Sequence, residues 1–186
     1  MTSANAAPSS SITATLAIEP LTAEAFRPFG DVIEAVETVR HFTINEGYAE
    51  RFHDLAQVDV GTQGGRAIIS IFRALPRALP MQLVLLERHP LGSQAFMPLS
   101  QRPYLVVVAP ATPDAAAPNA ATPDLATVRC FRAEPGQGVN YARGTWHHPL
   151  IALDAPCDFL VVDRGGAPGD HNCDEHPLGA QAAWIG

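Results

Sequence analysis

Arg66-Ala-Ile-Ile-Ser-Ile-Phe-Arg73, Met81-Gln-Leu-Val-Leu-Leu-Glu-Arg88 and Tyr104-Leu-Val-Val-Val-Ala109 are short runs rich in β-forming and other apolar residues. Ala126 to Arg132 and Cys157 to Asp163 continue the series. Between them stand Pro76, Pro80, Pro90, Pro98, Pro103 and Pro110. Prolines at those points remove backbone donors and block the helical turns that a βαβ crossover requires. The pattern predicts an all-β fold. Strands this numerous in 186 residues have to close into a barrel or a double-sheet jelly roll, which buries their apolar faces and protects their edges.

Outward from that core the signals thin. Pro20 to Gly30 offers Thr22 as an N-cap, with Pro28 and Gly30 as stops, so one short helix is expected there and little helix elsewhere. Residues 1–13 are Ala, Ser, Pro and Thr without a period and are expected to form a flexible tail. Residues 14–186 are then a single domain, in keeping with about 150 residues per domain. Residues 110–125 are low in complexity and read as one long surface loop between two strands, a decoration of the fold.

Composition excludes several kinds of chemistry. Twelve basic against nineteen acidic residues give a net charge of -7, which offers no footprint for a phosphate backbone, so nucleic acid is not an expected partner. All twelve basic residues are arginine. Without lysine there is no Schiff base, no pyridoxal phosphate linkage and no P-loop amine. Cys130, Cys157 and Cys173 are an odd set without CxxC spacing, and no apolar run approaches the roughly 18 residues of a membrane span. A reducing, cytoplasmic setting is expected, with no membrane partner.

Two stretches gather polar groups within apolar β sequence. In Leu86-Glu-Arg-His-Pro-Leu-Gly-Ser-Gln-Ala-Phe-Met-Pro-Leu99, the spacing of Glu87 and His89 puts both side chains on one face of a strand, and Gln94 can return to that face after the turn. The alternative is a hairpin with its polar residues in solvent. In Gly136-Gln-Gly-Val-Asn-Tyr-Ala-Arg-Gly-Thr-Trp-His-His-Pro-Leu150, Gly144 permits a tight turn that presents one histidine inward. His147 is the candidate, able to ligate a divalent metal or move a proton, while His148 on the opposite face is expected to stay solvated. Asn140 and Tyr141 are supporting candidates. Cys173 has no histidine at a spacing that would activate it and reads as an inert thiol.

Together the two stretches resemble the paired motifs of the cupin superfamily. Glu87 stands where the first histidine of those motifs falls, His89 matches the second, Gln94 replaces the glutamate and His147 matches the last. Two histidines and an amide hold a metal more weakly than three histidines and a carboxylate. A closer resemblance lies in Asn45-x-Gly47 with Arg51-Phe-His-Asp-Leu-Ala56, Ile69-Ser-Ile-Phe-Arg-Ala74, Leu86 to Phe96, Gly138-Val-Asn-Tyr141, Trp146-His-His-Pro-Leu150 and Asp163-Arg-Gly-Gly166 with Asn172-Cys-Asp174. These six blocks, in order from Leu16 to Glu175, are similar to ureidoglycolate lyases. The 110–125 loop, His171 and the Glu175-His-Pro-Leu178 ending depart from that pattern without touching the blocks.

The resemblance implies a cupin-like double-stranded β-helix, a homodimer, and cleavage of (S)-ureidoglycolate to glyoxylate and urea in allantoin breakdown. It also implies a divalent metal, nickel being the one usual in the family, with His89 and His147 as ligands, and no organic cofactor. For that reaction Arg73 is the candidate cation for the substrate carboxylate, unless it is a surface arginine at a strand end. His147 is the candidate base, Glu87 or a water the acid, and Gln94, Asn140 and Tyr141 the groups to bind the substrate. Asn45, Arg51, His53 and Asp54 either reach a site across a dimer or fix a loop. Asp163 and Arg164 read as a structural pair closing the last strand. A metal- or small-acid-binding cupin of another activity, an isomerase or a sensor, is the competing assignment, and an amidohydrolase releasing ammonia is a third.

Overall fold

The computed structural model describes residues 15–179 and 182–186. The flexible tail expected over residues 1–13 lies outside them. The strands in chain order are β1 Thr15–Leu16, β2 Ile18–Pro20, β3 Gly30–Ile33, β4 His41–Ile44, β5 Ala49–Phe52, β6 Arg66–Ala74, β7 Met81–Gln82, β8 Leu85–Arg88 and β9 Gln94–Pro98. They continue with β10 Tyr104–Ala109, β11 Arg129–Ala133, β12 Gly138–Tyr141, β13 Trp146–His147, β14 Ile151–Ala152, β15 Cys157–Gly165, β16 Asp174–Pro177 and β17 Trp184–Ile185. Among the described residues there is one α-helix, α1 Ala23–Phe26, capped as the sequence predicts: Thr22 Oγ1 accepts from the Ala25 N–H at 3.2 Å.

The fold is all-β, built on two main sheets. One has seven strands, in the order β16-β8-β13-β10-β11-β2 with β14 also on β10, and the other five, β3-β12-β9-β15-β6. Every pairing in them is antiparallel except β2 on β11. An aromatic core that includes Phe26, Phe29, Phe96, Tyr104, Phe131, Tyr141 and Phe159 draws on strands of both sheets. A second cluster, with Leu86, Leu105, Val107, Trp146 and Ile185, draws on β17 and on the opposite face of β10. All six residues of β10 are therefore buried, and its unbroken apolar run follows from having two covered faces.

Three expectations need correction. The single run Met81 to Arg88 is divided: β7 pairs with β17, whereas β8 pairs with β13 and β16, and the Leu83 N–H goes to the Ala183 carbonyl where the chain changes sheet. The 110–125 loop is more than a decoration. Thr112 Oγ1 accepts from Trp146 Nε1 at 2.9 Å, the Thr112 carbonyl accepts from Arg88, the Asn119 N–H reaches Asp174 at 2.8 Å, and Ala121 is part of the second core. Similarly, Ala126 to Val128 do not start the next strand, because Asp124 caps a 3-10 turn over Leu125–Thr127 and β11 begins at Arg129.

Candidate active site

The strand period places the site. Along β8, Leu86 joins the second core and Arg88 lies over its Trp146 ring, while Glu87 and then His89 turn to the other face, as the spacing of two requires. Strand β13 runs antiparallel beside β8 and sets His147 directly opposite Glu87. The turn before it is fixed by Gly144, at φ +79°, whose N–H donates to the His89 carbonyl at 3.0 Å. The other sheet contributes Gln94 from β9, Tyr141 from β12 and Asp163 from β15.

These side chains converge in a defined way. His89 Nδ1 lies 2.7 Å from the Asn172 carbonyl and His147 Nδ1 lies 2.9 Å from the Thr145 carbonyl. A carbonyl only accepts, so each Nδ1 carries the hydrogen and each neutral ring presents a bare lone pair at Nε2. His147 Nε2 is 3.5 Å from Glu87 Oε1 and has no partner in hydrogen-bonding geometry among the described residues, although it is buried. His89 Nε2 is 3.2 Å from Gln94 Oε1, an acceptor facing an acceptor. One ligand atom from each of Glu87, His89 and His147 lies within 4.8 Å of the others. Two imidazole lone pairs, each oriented by a contact at its Nδ1, converge with one carboxylate, which is what a cation site needs, so the residues present fit a divalent metal.

Electrostatics reinforce the pattern. Burial pushes the Glu87 carboxyl up, but the His147 imidazole beside it, with His89 and His148, pulls it down further, leaving it below the usual carboxylate range. Burial, and then the charge that His147 can carry, holds His89 below the usual imidazole range. Tyr141 stacks on His147 with ring centroids 4.3 Å apart, and its buried hydroxyl finds no partner among the described residues.

These groups border a cavity of about 200 Å³ with an apolar side of Phe72, Phe96, Leu150 and Phe159 and a polar side that includes Glu87, Gln94 and His147. Arg73 lines it as well, but its guanidinium is exposed and forms a bidentate pair with Asp158 at 2.7 and 2.8 Å. His148 departs from its expectation: it is 2% exposed and lines the same cavity as His147. Strand β13 ends at His147, so alternation no longer applies to the next residue, and His148 Nδ1 bonds the Pro149 carbonyl. Asn140 goes the other way. Its neighbour Tyr141 faces the cavity, and period two turns Asn140 to the opposite face of β12, where Nδ2 donates to Asp31 and to the Gln57 carbonyl, each at 3.0 Å.

Asp163 and Arg164 are not a pair. Arg164 bonds the Thr62 carbonyl and Asp170, whereas Asp163 Oδ2 lies 3.5 Å from Gln94 Nε2. Asp163, Asn172 and Asp158 are therefore additional residues around the candidate groups. Asp163 alternates with the buried Phe159 and Val161, a signal that could have placed it inward; the contact of Asn172 with His89, 83 residues apart, leaves no local trace. Cys173 stands 4.0 Å from Glu87, and burial together with the Glu87 charge pushes its thiol up to about 11, so it stays a thiol at neutral pH. Asn45 and Arg51 sit in the β4–β5 hairpin region, and His53 and Asp54 follow it, lining a separate depression with Arg40.

Comparison with known proteins adds a direct line of evidence. The profile of the family described as Ureidoglycolate lyase matches residues 13–184. The ureidoglycolate lyase of Burkholderia cepacia is 56% identical over 174 residues, covering 91% of this chain and 89% of that protein. That of Pseudomonas entomophila (strain L48) is 53% identical over 162 residues, covering 87% and 90%. Among solved structures, a dTDP sugar isomerase from Desulfovibrio desulfuricans G20 aligns over 81% of this chain and 86% of its own at 14% identity, with a TM-score of 0.44. With the family match running almost from end to end and relatives more than half identical, the chain belongs to the ureidoglycolate lyase family.

Proposed function

We propose that this protein is a carbon–nitrogen lyase that cleaves (S)-ureidoglycolate to glyoxylate and urea. The observation that supports this most directly is His147 Nε2, buried and unpartnered among the described residues beside the Glu87 carboxylate at the cavity, in a chain of this family. The substrate carries a carboxylate, a hydroxyl and a ureido nitrogen on one carbon. Loss of the hydroxyl proton turns the C–O pair into a carbonyl, the C–N bond breaks with its electrons on nitrogen, and a proton returns to that nitrogen as urea leaves. No net proton is consumed.

His147 Nε2 is the base in this scheme, and Glu87, cross-strand from it, is the group that can relay the proton to nitrogen. Glu87 starts ionised, which suits a relay loaded during the reaction rather than a resident acid. The Tyr141 hydroxyl is a donor left over for the substrate, and Arg73 is the cation available for its carboxylate at the rim. The apolar wall of Phe72, Phe96 and Phe159 lowers the local dielectric, which strengthens each of these interactions.

A divalent cation would be held by His89, His147 and Glu87, with Gln94 as a fourth donor, and would supply Lewis-acid polarisation of the substrate's oxygens; because His147 has one free lone pair, at Nε2, holding the cation and acting as the base are alternatives that the chelation arm of the assay below separates. Nickel, implied by the family resemblance, is the ion to test first. A homodimer is also part of this proposal: Ile69 and Ile71 lie 72% and 55% exposed on edge strand β6, an apolar edge that a second copy would cover.

The test is a product assay on racemic ureidoglycolate that follows glyoxylate, urea and ammonia separately, before and after chelation. Equal glyoxylate and urea from one enantiomer is the expected result. Ammonia in place of urea, or near-normal turnover in both His147→Ala and His89→Ala, would overturn the scheme.

A further inference from the structure

The amide of Gln94 is caught between two acceptors. Its Oε1 faces His89 Nε2 at 3.2 Å and its Nε2 faces Asp163 Oδ2 at 3.5 Å. With Nδ1 of His89 committed to the Asn172 carbonyl, Nε2 of the neutral ring is a lone pair, and an ionised carboxylate offers only lone pairs. One NH2 group stands between two claimants. Reversing the amide would satisfy His89, but it would press the amide oxygen against a carboxylate. The strand register makes this confrontation unavoidable: β9 and β15 pair Ala95 with Val162, so Gln94 and Asp163 come next in line. Asp163 Oδ1 is buried and has no partner among the described residues, so Gln94 is the one side chain that the carboxylate is seen to hold.

We infer that Asp163 is a positioning residue that draws the NH2 of Gln94 toward itself and so turns the amide oxygen to His89 Nε2, leaving an oxygen and a nitrogen lone pair face to face for a cation. This rests on the metal reading of the site given above. It also explains how a glutamine can serve where a carboxylate would be the stronger donor. A carboxylate presents oxygen whichever way it turns, whereas an amide has to be told which way to face. Without Asp163 the amide reverses, donates to the neutral imidazole, and closes the donor set with a hydrogen bond.

The experiment uses the full-length apoprotein titrated with Ni²⁺ alone by calorimetry, together with the visible spectrum of the Co²⁺-loaded protein. Asp163→Asn should weaken Ni²⁺ binding about tenfold or more, the range typical for groups that orient a ligand, and should alter the Co²⁺ bands. Adding Gln94→Glu to Asp163→Asn should restore binding, since no orientation is then needed. Gln94→Glu alone, which sets two carboxylates against each other, should bind more weakly than the double variant. If Asp163→Asn fails to fold, Asp163→Ser supports the same comparison. Unchanged affinity in the Asp163 variants, or a loss that Gln94→Glu does not repair, would overturn the positioning role while leaving the metal site standing. Failure of the unmutated protein to bind Ni²⁺ or Co²⁺ would overturn both.

Discussion

Tyr141 lies on the imidazole of His147, planes 22° apart and centroids separated by 4.3 Å, although the two residues belong to different sheets. The stack fixes the ring plane of the candidate base, and the phenol hydroxyl beyond it is buried without a partner among the described residues. Each consequence can be tested separately.

Tyr141→Phe keeps the stack and deletes the orphaned hydroxyl. A buried unsatisfied hydroxyl costs about 1–3 kcal/mol, so thermal stability should stay level or rise. If that hydroxyl serves the substrate, kcat/KM should fall about tenfold over the same substitution. Melting curves and steady-state kinetics on one preparation check the opposed signs, and parallel losses in both would make the residue structural.

Arg73 and Asp158 form an exposed pair next to the cavity, so Asp158 competes with any substrate carboxylate for the same guanidinium. Asp158→Asn should therefore lower KM, and Arg73→Ala should raise it with a smaller change in kcat. Neither should move the melting temperature appreciably, because exposed pairs are screened by solvent. A KM for Asp158→Asn at or above that of the unmutated protein would remove Arg73 from carboxylate binding.

Asp174 should govern the acid limb of stability. Burial pushes its carboxyl up, but the Asn119 N–H, His171 and the buried Arg88 outweigh it and hold the group below the usual carboxylate range. Because the folded value lies below the unfolded one of about 3.9, the stabilisation is full above that pH and is lost as pH falls through the folded value. Asp174→Asn should flatten this acid-side decline. At neutral pH it should cost about 3 kcal/mol, or about 6–12 °C in Tm, by leaving Arg88 short of a partner. Thermal melts across the acid range measure both.

His148→Ala opens the cavity beside His147 without touching the converging donors. Ni²⁺ affinity should hold while kcat/KM shifts, which separates the wall of the cavity from the ligand cluster. Calorimetry and kinetics on this variant, set beside His147→Ala, make the distinction.

Much of this was legible before the fold was known. Proline spacing and the unbroken Tyr104 to Ala109 run pointed to sheets, and a separation of two put Glu87 and His89 on one face. Period two, carried one residue further, would also have separated Asn140 from Tyr141 and turned Asp163 inward, since both effects are local. His148 escaped because alternation holds only while a strand lasts, and β13 stops at His147. The Asn172 carbonyl on His89 and the Arg88 to Asp174 bridge escaped for a different reason. Contacts between residues more than 80 apart depend on how the sheets stack, and nothing in the neighbouring sequence marks them.

That the candidate groups divide between two sheets has a mechanical side. Glu87, His89 and His147 move with one sheet and Gln94, Tyr141 and Asp163 with the other. Any ligand held by both sets acts as a clasp across the sandwich. Occupancy should then slow amide exchange along β9 and β13 together, and a slight parting of the layers would empty the site while every strand was still intact.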